Sequence, residues 1–485
     1  MKKTIYCLLI TAFILSLVGC GPQATPTAVP TTAALQKPTA VPPTAEPKQP
    51  TAIPATSVPA QPTEVPPIGP VTIKVSGWTY DTASWMANIA KYTAWASTEA
   101  DPKINVTVEW TDADFDSYDT FITTVFQGGD TRDVIVSSDQ WLGKLADAGW
   151  VVPLEDYWPD VKNYLADLTP HSIEGLTING KIYGLPYYSD VMVFVYNKAM
   201  LDQAGIIAPP TTWEEVTADS KILMQKGISS MPLELGLLPG SWFDDTVYAM
   251  LYSNGGQLFD AENNPVFDTT TGPVFDMVEW IAKAISVDKI IPQKCLTLEP
   301  SDIQQAFKNG EPAFVIVPDY MMKEFNTPGI SKIAGFANIS MMPGTTHQTD
   351  GFTRMYLMGN DAPTDPAKLQ ASIALINFWG GKTTFNGVTA YNIDKQWAVN
   401  NGLGFSIKSL WNDPDVLRVV SAMTNVNVLQ KQQALALAKQ GMQAPWFAEW
   451  MSYTRAELTK AFLLEQTTTT SLENIKQQWV SLMNQ

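Results

Sequence analysis

The 485-residue chain holds three cysteines and two histidines. The histidines, His171 and His347, are far too few for a histidine-rich metal site. No glycine-rich phosphate loop with its Lys-Ser/Thr pair occurs, so the chain lacks that route to ATP. Asp112, Asp114 and Asp116 stand at calcium-loop spacing, but Ser117 takes the place of the turn glycine and Thr123 that of the closing glutamate. The stretch reads as a solvated helix start, and neither metal nor cofactor is expected. Basic side chains are scarce as well: 31 Lys and Arg face 48 Asp and Glu, a net charge of −17 that repels nucleic acid. Long apolar runs are missing too. Behind Lys2 and Lys3, the run from Thr4 to Gly19 is shorter than the roughly 20 residues of a membrane-spanning helix, and it reads as an export signal.

That signal ends in Leu17, Val18, Gly19 and Cys20, which resembles the bacterial lipobox. The resemblance implies a signal peptide over 1–19 and a diacylglyceryl group on the Cys20 sulfur. An ordinary secretory signal with a chance cysteine is the alternative. Lipid anchors hold because each buried methylene contributes about 0.8 kcal/mol, and two or three chains exceed the marginal binding of one. Cys7 then leaves with the signal and Cys20 carries lipid, so Cys295 is the thiol left in the body and no intramolecular disulfide is expected. No histidine lies near Cys295, which reads as a structural thiol. After Cys20, residues 21–70 are dominated by Pro, Thr and Ala, and cannot bury enough apolar surface to offset chain entropy. Segment 20–70 is therefore a lipidated cysteine followed by a disordered linker, spanning at most about 3.1 Å per residue.

The body, 71–485, is too large for one core and suits two lobes. It is rich in aromatics, the chain containing 16 Trp and 16 Tyr. "VTIKVSGW" at 71–78 alternates like a strand, a helix capped by Asp81 or Thr82 should follow with Trp85, Ile89 and Tyr92 on one face, and "INVTVEW" at 104–110 is the next strand. A helix across Tyr118–Phe126 and a buried strand at 133–139 complete a strand–helix alternation that means α/β. Further apolar runs at 191–197 and 313–319 have buried-strand length, and Thr212 with Glu215 forms a capping-box pattern before a helix that closes at Gly227. Asp365 and Pro366 open another helix, which stops at Gly380, and Leu472, Ile475, Trp479 and Leu482 form one stripe near the end of the sequence.

The stretch "NGKIYGLPYYSDVMVFVYNKAMLDQAGIIAPPTTWEEV" at 179–216 resembles the extracellular solute-binding proteins of the sugar-binding family that feeds ABC importers. Gly180, Tyr183, Gly184, Leu185 and Pro186 match its Gly-x-x-Tyr-Gly-Leu-Pro. Tyr196, Asn197 and Lys198 close the apolar strand, and Ala204, Gly205, Pro209, Pro210, Thr212, Trp213 and Glu215 follow the same pattern. Stretches at 132–157, 250–268 and 303–321 fit in the same order, so the resemblance spans most of 71–385 and weakens afterwards. It implies an α/β, two-lobed periplasmic-binding-protein-like fold (type II) with hinge-crossing segments and a ligand cleft between the lobes. Lobe one is expected over 71–187 and 351–400, lobe two over 188–343 and 401–485. Pro186 is read as a stiffened turn that ends one lobe, and "MMPGT" at 341–345 as the return crossing.

In open α/β sheets ligands sit beyond the carboxyl ends of strands. Residues at those places are Trp78, Tyr80 and Asp81; Ser138, Asp139 and Trp141; Tyr187, Tyr188 and Asp190; and Asp319 and Tyr320. Each group sets an aromatic face beside a carboxylate, which suits a sugar: the apolar face of the ring stacks, and the hydroxyls donate to the carboxylate. Core packing is the competing reading for every aromatic. Trp242, with Asp244 and Asp245 as caps or ligand contacts, and Phe352 with Arg354 at the return crossing complete the candidates. Arg354 suits an anionic group or a structural ion pair equally.

The resemblance implies a non-enzymatic receptor, lipid-anchored to the cell membrane on its extracytoplasmic side. It would capture a mono- or oligosaccharide as a monomer and deliver it to ABC permease subunits by hinge closure. A secreted glycoside hydrolase, a receptor for a non-sugar polar solute and a surface adhesin are the alternatives.

Overall fold

A computed structural model describes residues 67–484; the signal segment, Cys20 and most of the linker lie outside the described residues. Among those, no helix is long and apolar enough to cross a membrane. β1 (Ile68–Trp78) begins ahead of the expected residue 71, because the Ile68 N–H donates to Lys103 O at 2.8 Å and its backbone pairs with Ile104 before a bulge at Gly69-Pro70. The linker therefore gives way to sheet at Ile68.

α1 (Thr82–Thr98) is capped by Asp81, whose carboxylate accepts from Ser84 N, and it buries Trp85, Asn88, Tyr92 and Trp95, with Ile89 at the margin of that face. β2 (Ile104–Ala113), α2 (Phe115–Gln127), β3 (Val134–Ser138) and α3 (Asp139–Asp147) follow in the alternation read from the sequence. β1 pairs parallel to both β2 and β3, so all three strands end at the same edge. α4 (Pro170–Gly175) and the hairpin of β4 (Thr177–Ile178) and β5 (Lys181–Ile182) lead to β6 (Gly184–Asn197), a single strand of 14 residues.

β6 corrects the reading of Pro186 as a turn. The strand runs straight through, and the register against the later strand jumps from Tyr188↔Arg354 to Pro186↔Met355, leaving Tyr187 as the extra residue of a bulge. A bulge tolerates a residue with no N–H to give. The crossing is thus a strand, not a loop.

α5 (Lys198–Ala204), α6 (Trp213–Gln225), β7 (Leu233–Glu234), α7 (Ser241–Ser253), α8 (Gly272–Ser286), α9 (Pro300–Asn309), β8 (Phe314–Pro318), α10 (Met322–Phe325) and β9 (Ala337–Ser340) build the second half. β10 (Thr349–Met358) returns, pairing antiparallel with β3 on one side and with β6 on the other. α11 (Pro366–Gly380), the hairpin β11 (Thr383–Phe385) and β12 (Val388–Ala390), α12 (Asn392–Asn401), α13 (Pro414–Met423), α14 (Val426–Ala434), β13 (Ala436–Leu437), α15 (Phe447–Phe462) and α16 (Thr468–Met483) complete the chain. The main sheet is ordered β2-β1-β3-β10-β6-β8-β7, with β9 on β6 and β13 on β10.

β6 carries the sheet from one lobe to the other: its first half pairs with β10, its second with β8 and β9. Two apolar cores result. One gathers α1, α2 and α11 with β1–β3 and extends under α9, α10 and α13; the other gathers α6, α7, α8, α15 and α16. Alternation along β6 divides it between them, Val193 and Val195 facing the first core and Met192 and Phe194 the second.

Candidate functional site

The carboxyl ends of β1 and β8 converge on a cavity of about 260 Å³. Trp78, Thr79 and Tyr80 enter it from β1 and the turn beyond, Phe115 and Asp116 from α2, Trp242 and Asp245 from α7, Pro318 and Tyr320 from β8 and the turn beyond. Tyr188, Phe352 and Arg354 come from the two crossing strands. Cross-strand pairing explains how residues far apart in sequence meet here. Ser138, Arg354 and Tyr188 are direct neighbours in one row across β3, β10 and β6, and Phe352 lies opposite Asp190.

Arg354 is buried at the centre. Its Nη1 donates to Ser138 Oγ at 2.9 Å and lies 3.4 Å from Asp139 Oδ1, and its guanidinium lies over Phe352 at 4.6 Å and Phe115 at 5.4 Å. Asp139 is fully engaged: it also accepts from Thr353 N at 2.7 Å and Gln140 N at 2.8 Å. Arg354 lines the cavity, and its buried Nε has no hydrogen-bond partner among the described residues. Burial pushes the Tyr188 and Tyr320 hydroxyls above the ordinary phenol range, so both stay neutral donors. Asp245 faces the cavity while its Oδ1 holds Lys439 Nζ at 2.6 Å; the same ammonium reaches Asp350 at 2.7 Å. Burial opposes the charge on Lys439, yet those two carboxylates hold its pKa above the ordinary lysine value.

Beyond Phe115 and Trp242 the cleft continues into a second cavity of about 490 Å³, lined by Thr120, Gln140 and Trp141 on one side and Leu238, Glu299 and Arg455 on the other. Arg455 makes a two-point contact with Asp244, its Nε donating to Oδ1 at 2.8 Å. Phe115, Asp116, Trp242 and Pro300 border both cavities.

Of the residues singled out in the sequence, Trp78, Tyr80, Tyr188, Trp242, Tyr320, Phe352 and Arg354 line the first cavity and Trp141 the second. Ser138 and Asp139 lie behind Arg354, as the groups that hold it. Asp81 sits at the rim, capping α1 and accepting from Asn401 at 2.9 Å. Tyr187 is 1% exposed and packs among Trp78, Trp85, Trp397 and Tyr356, beneath the cavity floor. Asp244 is buried in its ion pair with Arg455. Asp190 and Asp319 are buried together where β6 leaves β10 for β8. Asp190 accepts from Gly404 N at 2.8 Å and Asp319 from Val191 N at 3.0 Å. Burial and the neighbouring Asp319 push the Asp190 carboxyl well above its ordinary range, and burial lifts Asp319 to about 6.

Phe115 escaped the sequence reading, and Asp116 was read only as part of a solvated helix start, because β2 was ended at 110; the strand runs to Ala113, and the rule of looking just past a strand's end then lands on both. Lys439 and Arg455 gave no signal of their own, coming from a region without a readable motif.

The family model described as bacterial extracellular solute-binding protein matches residues 76–402. The chain belongs to that family. A protein of Brucella abortus (strain 2308) is 22% identical over 239 residues, 49% of this chain and 56% of that protein, so the solute-binding chain spans about half the length of the curated relatives it matches. Among solved structures, maltose-bound MalE3 of T. maritima superposes with a TM-score of 0.70 at 19% identity, covering 85% of this solute-binding protein and 99% of that chain. The GacH receptor of Streptomyces glaucescens, whose structures include an acarbose complex, gives 0.69 at 17% identity, covering 85% and 98%. The two-lobed fold is the one these structures share.

Proposed function

We propose that this extracellular solute-binding protein captures a carbohydrate and delivers it to the permease of an ABC importer, tethered to the membrane through lipid on Cys20. One observation carries the reading: the cavity at the strand ends joins the aromatic rings of Trp78, Tyr188, Trp242 and Tyr320 to buried polar groups on Arg354 and Asp245. Rings offer stacking surface to a pyranose; the neutral Tyr hydroxyls, Arg354 and Asp245 supply donors and an acceptor for its hydroxyls. The sugars held by the structural relatives support the same chemistry.

Binding without turnover is the favoured outcome. Asp245 is held by Lys439 and Asp139 by Arg354, which makes them fixed acceptors and leaves neither poised as an acid over a glycosidic bond. Capture proceeds by closure about β6 and β10. Contacts made from both lobes exist together only in the closed form, so ligand shifts the population toward it; turning a 1:99 ensemble to 99:1 takes about 5.5 kcal/mol of preference.

A thermal-shift screen over mono- and oligosaccharides, polyols and amino acids tests this, since a ligand at 100 times its Kd adds about 2.7 kcal/mol of stability. Sugars are expected to raise Tm and to be recovered unhydrolysed. A response to amino acids alone, or release of shortened sugars, would reject the reading.

A further inference from the structure

The two cavities of the cleft adjoin. The first, about 260 Å³, is below the roughly 300–1,000 Å³ typical of pockets that enclose a whole small ligand, while the second, about 490 Å³, lies within that range. They meet at a neck formed by Phe115 and Asp116 from one lobe and Trp242 and Pro300 from the other. Aromatic surface runs through the neck without a break: Trp78 lies edge-on to Phe115 at 5.4 Å, and Phe115 is tilted against Trp141 at 5.3 Å. The polar groups are divided between the two ends, with Arg354, Tyr188 and Tyr320 in the first cavity and Thr120 and Gln140 in the second.

The charges along this path are equally informative. Both cations that line it are already matched, Arg354 by Asp139 and Arg455 by Asp244. Asp116, Asp119, Asp245 and Glu299 also line it, Asp119 held by Lys144 and Asp245 by Lys439. An anionic ligand would meet carboxylates and no unmatched cation, and would have to break a buried ion pair to gain one.

We infer that the ligand is an uncharged oligosaccharide of at least two rings, lying through the Phe115–Trp242 neck with one end on Arg354 and the other on Trp141. This rests on the carbohydrate reading above. The second cavity then sets the minimum length: a single ring fills one end of the cleft and leaves the platform at Trp141 uncovered. Trp141 and Gln140 are the residues that determine size, and Asp116 at the neck the one that rejects negative charge.

Isothermal titration with glucose, maltose, maltotriose, cellotriose, xylose, xylotriose and a uronic-acid disaccharide tests it, using the wild-type chain and two variants. Trp141→Ala removes the platform. Thr120→Trp, at an exposed position on α2, instead fills the second cavity and keeps the test independent of how well Trp141→Ala folds. At least one neutral di- or trisaccharide is expected to bind tenfold or more tightly than its own monosaccharide, and either variant should shrink that advantage by lowering oligosaccharide affinity more than monosaccharide affinity. The uronic-acid disaccharide should bind at least tenfold more weakly than maltose or maltotriose. A monosaccharide binding as tightly as its oligomers, variants that weaken both alike, or tight binding of the acidic sugar would overturn this inference while leaving the carbohydrate reading intact. Failure of every sugar to bind would overturn both.

Discussion

Arg354 shows how one side chain serves both packing and recognition. Its charge is matched by Asp139, its faces are covered by Phe352 and Phe115, and the residue still borders the cleft. Removing Asp139 would leave that guanidinium buried without a counter-charge and would strip the acceptor from Thr353 N. Asp139→Ala is therefore expected to lower stability by about 3–5 kcal/mol, read from the midpoint of urea unfolding. Trp78 and Tyr188, equal as sequence candidates, are not equal in the structure. Trp78 is 3% exposed, wedged among Phe115, Tyr118, Trp141 and Tyr187, so Trp78→Ala should cost about 3–5 kcal/mol as well as affinity. Tyr188 is half-buried at the cavity wall, and Tyr188→Ala should weaken sugar binding at least tenfold with a far smaller fall in Tm. Equal losses of Tm for the two would contradict this division.

Strand β6 has the most demanding backbone. Its first residue, Gly184, belongs to the motif that signalled the family, and the reason for glycine there is steric: a Cβ would lie 2.1 Å from the carbonyl oxygen of Tyr356 on β10. Neither backbone can yield without parting the crossing strands. Gly184→Ala is expected to destabilise by at least the roughly 1–3 kcal/mol of ordinary overpacking, and to do so without any change in the cavity's chemistry. Unchanged urea midpoints would show that β6 and β10 slide more freely than this contact implies. Helix ends were readable in advance with one small shift. Thr212 caps α6 as expected, accepting from Glu215 N, but the Glu215 carboxylate returns to Thr211 N at 2.7 Å in place of the Thr212 N–H. Pro186 was misread because its usual role in turns is a local preference, whereas the bulge that accommodates it exists only once β10 lies alongside.

Where the two lobes join, the molecule keeps its polar groups buried. Ser172, Ser189, Thr353 and Ser406 form a closed hydroxyl network with His171 beneath the crossing strands, and Asp190 and Asp319 lie at the switch from β10 to β8. Their titration bears on the stability of the whole fold. Asp319 is raised to about 6 by burial, above its ordinary 3.8, so its contribution is fully present at low pH and is lost as pH rises through about 6. His171 acts the other way: burial lowers it from 6.5 to about 4, so its contribution is present above 6.5 and fades as pH falls toward 4. Wild-type Tm alone mixes the two. The difference between Asp319→Asn and wild type isolates the carboxyl pair, and it should grow in favour of the variant as pH is raised from 5 to 8. A difference that stays flat, or shrinks, would mean that burial does not raise Asp319 in the folded protein.

The alternation of strands and helices, the caps and the motif at 179–216 were legible because they depend on neighbours along the chain: periodicity, φ preferences and side-chain-to-backbone bonds act over a few residues. Those same local rules named most of the residues around the first cavity, since a strand's end is itself a local feature. They could not show that Tyr187 turns under the floor while Tyr188 faces the cleft, because the direction each takes follows from a bulge made with β10. Nor could they place Lys439 against Asp245 and Asp350, or Arg455 against Asp244, since ion pairs across some 90 to 210 residues are assembled by packing of helices and strands whose own sequences carry no trace of the partner. Burial is a property of the folded surroundings, and it is burial that makes those charges matter.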